Sequence, residues 1–161
     1  MCWVRPEGQD GPLFQYRATD ELRWGVSIWI ANNGKFFNRI VDANNNCKTK
    51  IESKWPLELG KWVHVAATYN HTTGNNSIYV NGILNATHNI GTGFRIATEG
   101  PVRMGAVYVG KKRFLRAAVS HMEVYNFSLN VNQIRAVMNK GNSTINLIAF
   151  RLERRNSINS N

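Results

Sequence analysis

Acidic side chains are scarce in this sequence. Ten Asp and Glu stand against twenty Lys and Arg in 161 residues, a formal charge of +10. Glycoside hydrolysis needs two carboxyls about 5–10 Å apart across the scissile bond. On a strand that means acids two or four residues apart on one face. The sequence offers Glu7 and Asp10 in a predicted loop, the adjacent pair Asp20 and Glu21, which would face opposite ways, and Glu123 alone on its predicted strand. None of these is a catalytic pair, so the reading is that the chain is not an enzyme; a glucanase-like hydrolase is the alternative it opposes.

Other absences narrow the field further. There is no Gly-x-Ser-x-Gly elbow for a serine nucleophile. There is no Cys-x-x-Cys or His-x-x-x-His spacing for zinc, and no glycine-rich phosphate loop ahead of a helix. Two cysteines, Cys2 and Cys47, are too few for a disulfide scaffold and allow one bridge at most. No run of apolar residues is long enough to span a bilayer. The opening MCWVRPEGQD lacks the apolar stretch of a signal peptide, which fits either a cytosolic chain or a piece of a longer one.

What is present points outward. The positive charge is uneven: residues 1–94 carry nine Lys/Arg against seven Asp/Glu, and residues 95–155 eleven against three. Such a balance favours anionic partners. Nucleic acid fits poorly, because no recognition helix or base-stacking motif accompanies the charge. Five glycosylation sequons begin at Asn70, Asn75, Asn85, Asn126 and Asn142. They favour a secretory origin, and with it a bridge between Cys2 and Cys47.

Short runs with turn signals between them predict an all-β sandwich. PLFQYRA is one strand. WGVSIWIANNGKFFNRIV is a hairpin around Asn32-Asn33-Gly34. GKWVHVAATY is apolar on both faces, as an interior strand would be. NSIYVNGIL turns at Asn81-Gly82, the strongest short hairpin signal in the chain. VRMGAVYVG and FLRAAVSHMEVYN complete the set, and Asn44–Asn46 and Asn75–Asn76 read as loops. One helix is predicted over 131–140. Asn130 and Gln133 can form its capping box, and Gly141 stands at its end.

The ordered set of Trp62, His64 and Val65, then Tyr79-Val80-Asn81-Gly82, then Tyr125-Asn126, Leu129 and Ile134, resembles the laminin-G-like, or concanavalin-A-like, jelly roll, with pentraxins among its relatives. The opening MCWVRP is similar to the family's early strand. The resemblance implies an all-β antiparallel sandwich with one short C-terminal helix, as a domain over residues 1–150 followed by a polar tail, 151–161. It also implies that the family's first strand or strands precede Met1 in a longer, multidomain protein. By analogy the function is an extracellular recognition or adhesion module, binding a glycan, an acidic one included, or a protein through rim loops. A purely structural domain of a larger receptor is the remaining alternative. Relatives often hold calcium at the sheet rim, but where the family has an acidic residue this chain has Ser120. The loop Asp42, Asn44, Asn45, Asn46 is the other oxygen-rich place for that ion, and no cofactor is expected. Pentraxin-like relatives pair the early cysteine with one in the strand matching VHVAATY, where this chain has none.

The expected ligand contacts are the basic turn Lys111, Lys112 and Arg113, with Arg116 close by and Arg103 on the preceding strand. A cluster of this kind suits sulfate and carboxylate groups. Trp24 and Trp29, beside Asn32 and Asn33, are read first as core and second as a sugar platform. Trp62 is read as a core anchor and His64 as locally hydrogen-bonded.

Overall fold

A computed structural model describes residues 1–17, 24–107, 113–143 and 150–151. Two antiparallel sheets face each other across one core, forming a jelly-roll sandwich. The first runs, in spatial order, β11 (Phe150–Arg151), β10 (Arg116–Ser120), β1 (Cys2–Gln9), β6 (Val63–Tyr69), β7 (Asn75–Val80) and β8 (Ile83–Asn89). The second runs β5 (Cys47–Glu52), β4 (Phe36–Val41), β3 (Trp24–Ile30), β2 (Gly11–Arg17) and β9 (Val102–Arg103).

The core follows from alternation. Every second residue of a strand faces inward, and Val4, Leu13, Phe36, Val65 and Ile78 meet between the sheets with almost no solvent exposure. Two hairpin turns set the register. At Asn81-Gly82 both residues take positive φ, 49° and 69°, as a type I′ turn requires. Gly34, at φ 77°, does the same between β3 and β4, where its N–H donates to Ala31 O.

β6 is an interior strand between β1 and β7, and both of its faces are buried for different reasons. Val63 and Val65 enter the core. Ala66, facing the other way, lies beneath α1 (Val131–Ser143), packed with Ile134 and Leu129. The helix begins where its capping box closes: Gln133 N–H donates to Asn130 Oδ1 at 3.0 Å, and Asn130 N–H donates to Gln133 Oε1 at 2.9 Å. It does not stop at Gly141 but continues to Ser143.

Four further expectations are corrected. The strand FLRAAVSHMEVYN shrinks to Arg116–Ser120, because His121 turns to φ 48°, a conformation that ends a strand. Glu123 therefore lies outside any strand. Glu7 belongs to β1 and not to a loop. Trp62 does not anchor the core: it is half-exposed, with the Arg5 guanidinium 5.7 Å from its ring centroid. The polar stretch Cys47–Glu52, read as no element, forms an edge strand.

His64 is buried under this frame. Its backbone N–H donates to Asn81 Oδ1, but its ring Nδ1 has no partner, nor has the indole N–H of Trp3, whose ring meets it edge-on at 5.5 Å. Desolvation, with the N-terminal ammonium as a smaller cause, lowers its pKa to about 4. The folded state therefore holds a neutral imidazole, while the unfolded chain takes up a proton near pH 6.5.

Two measurements test this packing. Stability from His64 is complete above pH 6.5 and is lost as pH falls towards 4, by up to about 2–3 kcal/mol. Urea unfolding at pH 7 and pH 4.5 should record that loss in the parent and a much smaller one in His64→Gln. Ile78→Ala should cost about 2–5 kcal/mol, whereas Ile83→Ala, on an exposed side chain, should stay within about 0.5 kcal/mol.

Candidate functional site

The outer face of the five-stranded sheet carries a cleft of ≈ 640 Å³. Its floor is built by the same alternation that builds the core. On β4, Phe36 and Asn38 point inward, so Phe37, Arg39 and Val41 point out. Phe37 lies opposite Trp29 of β3, and the two rings stack at 5.9 Å with 18° between planes. Val107 closes over this pair, leaving Trp29 3% and Phe37 6% exposed. Core packing thus describes Trp29, and its ring face is not available as a sugar platform.

Around this floor, register gathers cations. Lys50 is opposite Arg39, Arg39 opposite Ser27, Ser27 opposite Gln15, and Gln15 opposite Arg103. One row therefore crosses all five strands with a basic residue at each end and a third within it. Phe37 carries two of these charges, with Lys50 Nζ 4.6 Å and the Arg39 guanidinium 5.9 Å from its ring centroid. Lys50 Nζ also donates to Glu52 Oε1 at 2.5 Å, so the ring and that carboxylate together fix where its ammonium sits. Gln15 is buried and its Oε1 has no partner. Arg113 reaches the cleft from the chain segment before β10, 4.0 Å from Asp10, and remains 56% exposed.

The expected basic cluster is thereby redistributed. Arg113 lines the cleft, and Arg103 lies on β9 at the end of the row. Arg116 does not line it: it stands on β10 of the other sheet, 3.8 Å from Glu7. Lys111 and Lys112 fall outside the described residues. Asn32 and Asn45 stand at the cleft's edge. Trp24 begins β3. Sequence reading missed Arg39 and Lys50. The signal was the alternation in FFNRIV, which puts Arg39 two residues after an aromatic, but the partner strand bearing Lys50 carries no hydrophobic pattern.

The oxygen-rich loop beside the cleft is internally satisfied. Asp42 Oδ1 accepts from the N–H groups of Asn44 and Asn46, and Oδ2 accepts from Asn46 Nδ2 and sits 2.9 Å from Lys48 Nζ. Lys48 is the main reason the Asp42 carboxyl is held down to about 2. No group of three or more His, Cys, Asp or Glu that could hold a metal ion occurs among the described residues.

The cysteines are not bridged. Cys2 lies in the core on β1, opposite Val65 of β6, the strand in which the resemblance to pentraxin-like relatives puts their partner cysteine. Cys47 is exposed at the start of β5 in the opposite sheet, its Sγ 3.8 Å from Thr49 O. The two thiols belong to different sheets and different environments, which is the physical reason the expected pairing fails.

A jelly-roll sandwich of two antiparallel sheets is the architecture of lectin-like domains. Residues 1–135 match the concanavalin A-like lectin/glucanases superfamily, and the chain belongs to that family. Among curated proteins, none matches it in sequence. Solved structures agree on the fold. A candidate carbohydrate-binding protein of Bacteroides ovatus superposes with TM-score 0.66 at 19% identity, over 83% of this chain and 38% of that one. A SAP-like pentraxin of Limulus polyphemus gives 0.61 at 19%, over 84% and 66%. The CBM40 of a Ruminococcus gnavus sialidase, bound to α2,3-sialyllactose, gives 0.65 at 17%, over 84% and 79%. The chain thus spans between about two fifths and four fifths of these relatives. No helix among the described residues is long and apolar enough to cross a membrane.

Cys47 lines the cleft, so it reports on the site. Burial raises the Cys2 thiol to about 11, and thiolate is the reactive form. A thiol reagent at pH 8 should therefore label one cysteine in the folded protein and two in denaturant. Cys47→Ser should abolish the native labelling; a parent with no reactive thiol in denaturant would mean a bridge.

Proposed function

We propose that this chain is an extracellular recognition module that binds an acidic glycan, carboxylated or sulfated, in the cleft across its five-stranded sheet. The observation that carries the reading is the convergence of Arg39, Lys50 and Arg113 around a rigid, water-excluding Trp29–Phe37 floor. Cations set against a low-dielectric wall attract anions more strongly than the same cations scattered in solvent. Arg39 and Arg113 carry planar guanidinium forks suited to a carboxylate or sulfate, and Lys50 adds an ammonium held between Phe37 and Glu52. Asn32 and Asn45 supply amide groups at the rim for sugar hydroxyls. The kinship with carbohydrate-binding proteins supports the ligand class.

A binding role also fits the carboxylates. Asp10 is the one acid lining the cleft among the described residues, and Arg113 faces it. Glycoside hydrolysis needs a second carboxyl on the opposite side of the bond, which this arrangement does not supply.

The test is retention on heparin, with affinity for a sulfated oligosaccharide measured alongside. Each charge-assisted contact is worth about 1.5–3 kcal/mol, so Lys50→Gln and Arg113→Gln should each weaken binding roughly tenfold or more. Arg116→Gln, outside the cleft, should elute with the parent, and all three variants should melt within a few degrees of it. Equal elution of the Lys50→Gln/Arg113→Gln double variant and the parent would refute the cleft. Loss confined to Arg116→Gln would move the site to the other sheet.

A further inference from the structure

A second concavity lies on one flank of the sandwich, between the ends of the sheets and away from the basic cleft. It is an open groove of ≈ 1030 Å³. Its walls carry three aromatic pairs in close ring contact: Phe14 with Tyr16 at 5.3 Å, Tyr69 with Phe94 at 5.4 Å, and Tyr125 with Phe127 at 5.7 Å. Ile28 and Ala67, both packed against the main core, are reached at its base. Val124 and Phe127 stand 66% and 58% exposed at its lip. A contiguous aromatic surface of this size on one face calls for an occupant.

The groove contains its own attachment point. Asn126 and Ser128 both line it, and with Phe127 between them they form the sequon Asn126-Phe127-Ser128. Asn126 is exposed, at a bend between β10 and α1, and its carboxamide makes no hydrogen bond. The other described sequon asparagines are engaged. Asn70 Oδ1 accepts from the N–H groups of Thr72 and Thr73. Asn75 Oδ1 accepts from Asn89 Nδ2. Asn85 Oδ1 accepts from Lys54 N–H. The hydroxyls of these last two sequons, Ser77 and Thr87, bond to each other at 2.8 Å across β7 and β8. Asn142 lies within α1.

We propose that Asn126 carries an N-linked glycan whose innermost N-acetylhexosamine units lie in this groove and cover its aromatic rings. In the modification, Asn126 Nδ2 displaces the diphosphate from the anomeric carbon of a polyprenyl-diphosphate-linked oligosaccharide. The N–C1 bond forms, the C1–O bond breaks, the amide gives up one proton and the polyprenyl diphosphate departs. The C–H face and acetyl methyl of an N-acetylhexosamine are apolar and match a π surface, while its hydroxyls stay in water at the open side. Free sugars stack weakly on such rings. A sugar tethered at the groove's own wall acts at an effective concentration on the order of millimolar or above, so weak stacking is enough to hold it. The proposal rests on the secretory route included in the proposed function, but not on the basic cleft.

The full chain, produced behind a secretion leader in eukaryotic cells, tests it by two readouts. Peptide mapping by mass spectrometry should find Asn126 occupied. Fluorescence of an apolar dye such as anilinonaphthalene sulfonate should rise severalfold in Asn126→Gln, and after enzymatic deglycosylation of the folded parent, but not in Asn75→Gln. Occupancy at Asn70 or Asn75 with Asn126 bare would overturn the groove proposal and leave the secretory reading standing. No occupancy at any sequon would overturn both. Occupancy at Asn126 with equal dye binding before and after deglycosylation would place the glycan outside the groove and overturn the proposal as well.

Discussion

The site and the core are tied together by one buried hydrogen bond. Asn38 Nδ2 donates to Asn76 Oδ1 at 2.6 Å, from β4 in one sheet to β7 in the other, with both residues almost wholly buried. Two amides inside an apolar sandwich are costly unless they pair. A one-residue slip of β4 would turn Asn38 outward, leave Asn76 without its partner, and place Arg39 in the core. Neither outcome is tolerable, so the register that pairs the two amides is also the one that turns Phe37 and Arg39 towards the cleft. The pair contributes less through its net energy, about 1 kcal/mol for an ordinary hydrogen bond, than through the alternatives it excludes.

The two outer faces of the sandwich then have different fates. On the six-stranded sheet, Ala66 leaves room for α1, and Leu129 and Ile134 fill it. The hairpin turn takes part: Arg135 Nε donates to Gly82 O, and a Cβ on Gly82 would come within 2.9 Å of the Arg135 side chain. On the five-stranded sheet, aromatic rings occupy the middle and Val107 closes over them. This face keeps its edge polar and its floor stiff. Stacked rings have few rotamers to lose, so cations resting on them are partly ordered before any ligand arrives.

Local signals in the sequence were legible wherever a few neighbouring residues determine the structure. Asn81-Gly82 specifies its turn because both residues tolerate positive φ. Asn130 and Gln133 specify a helix start because they satisfy each other. The double-sided apolar strand around Val63–Ala67 is legible as interior, although only the structure assigns one side to the core and the other to a helix. What failed were features set by distant contacts. β5 has no hydrophobic alternation, being an edge strand held by its ladder to β4, so Cys47–Glu52 carried no signal for any element. β10 ended early because His121 takes a left-handed conformation that no neighbouring residue announces. The cysteine pairing failed for the same reason: sequence spacing carries no information on which sheet a strand will join.

The run Lys111-Lys112-Arg113 is the conspicuous charge in the sequence, and of it only Arg113 lies among the described residues, where it lines the cleft. Consecutive cations are easy to see in a sequence, yet exposed charges interact weakly through water, and many sit near an acid: Arg5 and Arg116 with Glu7, Arg95 with Glu99, and in the cleft Lys50 with Glu52 and Arg113 with Asp10. Charge acquires direction only when side chains from separate strands meet over a surface that excludes water. Arg39, Lys50 and Arg113 are far apart in the chain and unremarkable singly. The sheet brings them to one cleft, and the Trp29–Phe37 floor lowers the dielectric beneath them. In the proposed reading, an anion preference is therefore set by register and burial at one face, and the +10 total would serve only to bring an acidic ligand towards it.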